Sequence, residues 1–126
     1  AMRGVRKRWP EIRLHTNNMG APEKSRLMEG ETIKVGTFNI TPRLTPGHAA
    51  DGVTYVVEGW ANAAPAVAIV GDAIFAGSMG KDFETPALAQ EKVRSEILEL
   101  PEDTLICPGH GPLTTVEEER AHNPFF

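Results

Sequence analysis

Apolar and polar residues alternate through the first half of the chain and recur at helical spacing in the second. Thr32 to Val35 and Thr37 to Leu44 alternate on either side of Gly36, which predicts a hairpin. Val53 to Glu58 alternates as well, with Val53, Tyr55 and Val57 on one face of a strand. Ala66 to Val70 is a short unbroken apolar run, suited to a strand buried on both faces. Gly59 to Pro65 between them reads as a turn or small insertion. Thr85-Pro86 predicts a helix start, a hydroxyl at the N-cap and proline in the first turn. Ala89, Val93, Ile97 and Leu100 continue it as an apolar stripe, and Pro101 ends it. Thr104 to Ile106 predicts a last short strand. Thr115 and Glu118 have capping-box spacing for a final helix through Arg120.

The order is strands, one helix, one strand and a terminal helix. That order predicts an α+β fold with a mixed or mostly antiparallel sheet and its helices on one face. The start of the chain is less regular. Residues 3–9 read as a short helical piece stopped by Pro10, Ile12 to His15 as a short strand, and Asn17 to Ser25 as a loop. We read residues 1–126 as a single, partial domain in which 1–30 form an irregular N-terminal piece. A domain that opens on the tail of a helix and then a strand reads as one begun partway through.

Composition narrows the function classes. At 126 residues, 40% of them hydrophobic, the chain is long enough to bury one core. A net charge of −4 argues against nucleic acid as a partner. The basic run Arg3 to Arg8 is the one positive cluster and reads as a solvated helix face. A single cysteine permits no internal disulfide and fits a reducing, cytoplasmic setting. No apolar run approaches the roughly 18 residues that span a bilayer, so no membrane partner is expected.

Candidate chemistry lies in three glycine-flanked loops, each just past an apolar run. They are Thr45-Pro46-Gly47-His48, Val70-Gly71-Asp72 and Cys107-Pro108-Gly109-His110-Gly111-Pro112. Imidazole and carboxylate are ligands for zinc and iron, and loops at strand ends allow a rigid sheet to aim them at one point. A carboxylate can bridge two cations, so Asp72 between His48 and His110 suits a two-metal site, which lowers the pKa of bound water.

The chain resembles the metallo-β-lactamase-fold hydrolases, and within them the glyoxalase II-like, or hydroxyacylglutathione hydrolase-like, branch. The resemblance covers about residues 30–126. It rests on the loops just given, on Gly71 through Lys81, on Leu100-Pro101-Glu102-Asp103-Thr104, and on Thr114-Thr115 followed by Glu119-Arg120 and Asn123-Pro124-Phe125. It implies the C-terminal half of an αββα fold. It also implies metal ligands at His48, Asp72 and His110, with Asp72 bridging two zinc ions (or iron or manganese) and serving catalysis. Lys81 corresponds to a residue that binds substrate. The implied activity of an intact parent is hydrolysis of a thioester or related acyl compound by metal-bound hydroxide.

The family's His-x-His-x-Asp-His motif has no counterpart in this sequence. Two ligands per metal are left, where a catalytic zinc normally takes three. We therefore expect weak metal binding and little activity from this chain alone. The partner expected is a missing N-terminal half or a second copy. A second reading is a non-catalytic domain of this fold acting through self-association; a third, within the enzyme class, is an oxygenase resembling persulfide dioxygenases. His15 and His122 read as surface residues, Cys107 as an inert buried thiol, Asp51-Gly52 as a turn, and Trp9 and Trp60 as packing residues.

Overall fold

The computed structural model describes residues 2–13, 15–17, 20, 22–81 and 84–126. A short helix, α1 (Met2–Arg8), opens the chain. Ile12, Arg13 and His15 are not in a strand, contrary to the alternation there, and Leu14 lies outside the described residues. The nearest strand-like feature is an isolated parallel bridge between Thr16 and Arg26. Among the described residues no strand pairs with this segment, so the alternation has no ladder to join. The expected Asn17 to Ser25 loop lies partly outside the described residues; its far end is a single 3₁₀ turn, Glu23–Ser25.

The hairpin around Gly36 forms. β1 (Ile33–Val35) pairs antiparallel with β2 (Phe38–Leu44), in register Val35 to Phe38 and Ile33 to Ile40. β3 (Val53–Glu58) pairs antiparallel with β2, and β4 (Val67–Gly71) with β3. Pro42 lies within β2, where a missing N–H is tolerated only on an unpaired side. Its carbonyl accepts from Gly30 rather than from β3, so its nitrogen also faces away from β3, beyond the end of β1.

After β4 the chain makes a two-stranded hairpin that the pattern did not reveal, β5 (Ile74–Phe75) with β6 (Ser78–Met79). α2 (Pro86–Val93) then runs into a π-helical turn, Arg94–Leu98. Thr85 is the N-cap, and its carbonyl accepts from Ala89, although its side chain makes no capping hydrogen bond. This helix is the crossover that lets β7 (Leu105–Pro108) pair parallel with β4. β8 (Thr114–Thr115) adds antiparallel to β7, and α3 (Val116–His122) follows, capped as predicted by Thr115 Oγ1 accepting from Glu118 N at 3.2 Å. The six-stranded sheet has the order β1-β2-β3-β4-β7-β8.

The core forms between one face of this sheet and the helices. Val56, Ala68, Val70 and Ile106 pack from the strands against Val93, Ile97, Leu98 and Leu100, with Val116 from α3. The opposite face carries Ile40, Tyr55, Val57 and Ile69 and borders an open groove of about 670 Å³. β4 is thus not buried on both faces: Ala68 and Val70 are buried, but Ile69 is 48% exposed. The apolar run predicted burial correctly for alternate residues and incorrectly for the rest, because no described helix or sheet covers their side. Trp9 and Trp60 are also more exposed than packing residues would be, at 59% and 45%; Trp60 Nε1 donates to the Pro65 carbonyl at 3.0 Å.

Candidate metal centre

Three loops at the same end of the sheet carry the candidate ligands. The first leaves β2 and closes on itself between Thr45 and Gly52. Thr45 N donates to the Gly52 carbonyl at 3.0 Å, and the buried Thr45 hydroxyl meets that of Thr54 at 3.0 Å. Both hydroxyls are satisfied by each other in an otherwise apolar layer, which is what buried polar groups require. Asp51-Gly52 is the turn expected, with Gly52 N donating to the Ala49 carbonyl. His48 stands at the exposed tip.

The second loop follows β4. Asp72 comes directly after the strand, and Gly109 N of the third loop donates to the Gly71 carbonyl at 2.8 Å, so the two loops are tied side by side. The third loop follows β7 and presents His110. Space between the loops is minimal. A Cβ at Gly109 would overlap Asp72 Oδ1, and one at Gly80 would overlap the Asp72 carbonyl oxygen and reach 3.0 Å from His48 Cβ. Side chains at either position would push the three candidate ligands apart.

The structure brings the three residues together around Asp72. His110 Nδ1 lies 2.8 Å from Asp72 Oδ1, and His48 Nε2 lies 3.6 Å from Asp72 Oδ2. One carboxylate thus offers a separate oxygen to each imidazole. His48 Nδ1 is 3.1 Å from the Lys81 backbone carbonyl. A carbonyl only accepts, so Nδ1 is the donor of this contact, and Nε2 is the ring nitrogen turned toward Asp72. Phe75 meets the His110 ring edge to face, with centroids 6.2 Å apart. The Asp72 side chain is 22% exposed while that of His110 is 78% exposed, so the carboxylate is the sheltered partner.

The donors match a metal in kind but are few. Among the described residues no three His, Cys, Asp or Glu side chains are grouped so as to hold an ion. His48 with Asp72, and Asp72 with His110, remain as two pairs sharing a carboxylate. Lys81 is exposed at the rim of a groove of about 350 Å³ that also involves Pro46, His48 and Glu84. The larger apolar groove lies on the sheet face and includes none of the three candidate ligands.

Other residues sort by burial. His15 and His122 are exposed. Cys107 is half-buried, with burial pushing its thiol above the ordinary value, which suits an inert thiol rather than a nucleophile. No described helix is long and apolar enough to cross a membrane. Sequence reasoning assigned no role to Glu119, which is buried at 2% exposure within a hydrogen-bond network. Its place in the Thr-Thr … Glu-Arg … Asn-Pro-Phe series was the available signal.

No protein-family profile matches the chain. It is 34% identical over 107 residues to a probable metallo-hydrolase, YqgX, of Bacillus subtilis, covering 79% of this chain and 47% of the relative. It is 32% identical over 111 residues to the hydroxyacylglutathione hydrolase GloC of Haemophilus influenzae, covering 83% and 49%. The chain thus spans about half the length of these curated relatives. Its fold superposes on the B3 metallo-β-lactamase BLEG-1 with a TM-score of 0.72 at 28% identity, over 99% of this chain and 69% of that one. It also superposes on TTHA1623, solved in a di-iron-bound form, with a TM-score of 0.59 at 30% identity, over 80% and 48%. With a mixed sheet and helices packed on one face, the chain has part of the metallo-β-lactamase fold and is similar over that part to metallo-hydrolases built on it.

Proposed function

We propose that this chain contributes the bridging aspartate and one histidine per metal to the dinuclear centre of a thioester hydrolase. The observation that carries the reading is Asp72, whose two oxygens face two different imidazoles. Each pair lacks the third protein ligand usual for a catalytic zinc, so completion by further ligands from outside this chain is part of the proposal. A pair of divalent cations held there, zinc or alternatively iron or manganese, would activate water near neutral pH and polarise the substrate carbonyl.

The roles of this chain's own residues follow from their contacts. Asp72 would hold both cations, with His48 on one side and His110 on the other. The Lys81 carbonyl accepts from His48 Nδ1, which orients the ring and leaves Nε2 as the nitrogen that would ligate. The Lys81 side chain, at the rim of the groove beside His48, is suited to bind a carboxylate of the substrate. The hydroxyacylglutathione hydrolase among the relatives favours a thioester substrate with carboxylates at its far end.

A second reading concerns partners, and the open sheet face favours it. A face with Ile69 at 48% exposure and Val35 at 51% invites a covering layer. The remaining half of a fold of this kind, or a second copy of the chain, fills that role. We place the protein in the cytoplasm, on the strength of its single cysteine.

The test is hydrolysis of S-lactoylglutathione. The chain by itself is expected to match buffer with equal zinc. Joined to the N-terminal segment of a relative that carries the missing ligands, it is expected to turn over, and Asp72→Ala in that form is expected to abolish turnover. Lys81→Ala is expected mainly to raise KM. A reconstituted protein that hydrolyses a lactone or phosphodiester but no thioester would remove the thioester assignment and leave the superfamily standing.

A further inference from the structure

We infer that Glu119 is a positioning residue: through the β5–β6 hairpin it sets the relative placement of all three candidate ligands. Asp72 lies two residues before β5, so the chain passes from the carboxylate directly into the hairpin. Gly80 and Lys81 follow β6, and the Lys81 carbonyl accepts from His48 Nδ1 at 3.1 Å. Gly80 packs against both the Asp72 backbone and His48 Cβ. Within the hairpin, Phe75 meets the His110 ring. One short element thus touches Asp72 by covalent continuity, His48 by a hydrogen bond and His110 by a ring contact.

A two-stranded hairpin of two residues per strand has little stability of its own. Something outside must hold it, and α3 does. Glu119 Oε2 accepts from Gly77 N, at the hairpin turn, at 2.9 Å. Asn123 Nδ2 donates to Glu119 Oε2 at 2.7 Å, to the Ser78 carbonyl at 2.9 Å and to the Phe75 carbonyl at 3.3 Å. Thr114 Oγ1 donates to Glu119 Oε1 at 2.7 Å, which ties the same carboxylate to β8 and so to the main sheet. Glu119 and Asn123 are 2% and 4% exposed. A buried carboxylate with both oxygens satisfied by neutral donors is retained only where its geometry is fully matched, because desolvation penalises any loosening.

Glu119 touches none of the three candidate ligands, so it acts through the hairpin. This placement rests on the chain's own contacts. Its consequence for metal binding rests on the hydrolase reading above, and the two are separable.

The test uses the isotopically labelled chain in solution. Glu119→Gln keeps the shape but removes the charge that strengthens the bonds from Gly77, Asn123 and Thr114, and obliges the Thr114 hydroxyl to reverse from donor to acceptor. Exchange of the Gly77 amide and its hairpin neighbours is expected to speed by about tenfold or more. The His48 and His110 ring resonances are expected to shift, while Val56, Ala68 and Ile106 amides in the core keep their protection. Hairpin exchange and ring resonances unchanged in a folded variant, or protection lost equally throughout the core, would overturn the inference. Thr114→Val removes one of the bonds and is expected to act in the same direction, more weakly. If Glu119→Gln does not fold, this variant decides. Zinc alone, titrated against the ring resonances, is expected to bind Glu119→Gln about tenfold more weakly than the parent, the order of effect of removing a ligand's support. Exposed Glu117→Gln is expected to leave zinc binding unchanged. Should zinc disturb neither ring in the parent chain, that matches the weak binding expected of two ligands per ion, and the exchange result alone judges the role of Glu119.

Discussion

The two faces of the central sheet are built from the same strands and differ in what they meet. On one, Thr54, Val56, Ala68, Val70 and Ile106 are buried under α2, its π-helical continuation and α3. On the other, Ile40, Tyr55, Val57 and Ile69 border an open groove, and Arg13, His15 and Glu31 are among the described residues that approach it from the N-terminal segment. Both faces are apolar, yet one is a finished core and the other an open surface. Strand composition reports that a residue is suited to burial. It does not say whether this chain supplies the covering.

The largest difference is expected where the core is complete. Ile106 is fully buried between sheet and helices. Ile106→Ala is expected to destabilise the chain by about 2–5 kcal/mol, from lost burial and the cavity left behind. Urea denaturation checks it: a midpoint unchanged from the parent would show that the helices do not seal this face. Ile69→Ala, one strand away on the open side, is expected to cost well under half of that.

A middle-sized effect is expected at the helix that seals the covered face. Thr115 Oγ1 accepts from Glu118 N at the start of α3. Thr115→Ala is expected to cost about 1 kcal/mol, the usual penalty for a lost N-cap. A change of less than a few tenths in the same denaturation series would mean that packing of Val116 holds the helix start by itself.

How much of this was legible follows the range of the interactions. The N-cap of α3, the hairpin at Gly36 and the turn at Gly52 rest on neighbouring residues, and the sequence displayed them. The loops of His48, Asp72 and His110 were legible as glycine-flanked candidate ligands, and the fold brings both histidines within 2.8–3.6 Å of Asp72. β5 and β6 were not legible, because two-residue strands carry no period. The π-helical turn was hidden because it preserves the apolar stripe through Ile97. Glu119 reads as one of several glutamates on a polar helix. Its burial depends on Gly77, 42 positions away, which no local pattern encodes. The exposed side of β4 was misread because Ile69 is as apolar as its buried neighbours Ala68 and Val70.

The open face makes a smaller and more specific prediction about association. Ile69→Lys is expected to leave the monomer's fold intact, since the lysine head group can reach water. If a second copy covers this face, the substitution is expected to lower self-association. Sedimentation equilibrium of parent and variant compares them directly. Equal association constants would place any contact between copies elsewhere.

The smallest effect is read through Tyr55, the single tyrosine, which lies on the open face. Burial raises its phenol above the ordinary value of 10.0, since desolvation disfavours the phenolate. The folded state therefore holds this proton more tightly than the unfolded chain. The linked stability is fully present below about pH 10 and is lost as pH rises through the folded value. Tyr55→Phe is expected to flatten that alkaline loss. The near-ultraviolet absorbance of the phenolate follows this one residue without interference from another tyrosine. Any layer that docks on the face deepens the burial of Tyr55, so its titration is expected to move further upward with protein concentration if a second copy is the layer. A titration independent of concentration, at concentrations where the chain is shown to associate, would mean that association leaves this face open.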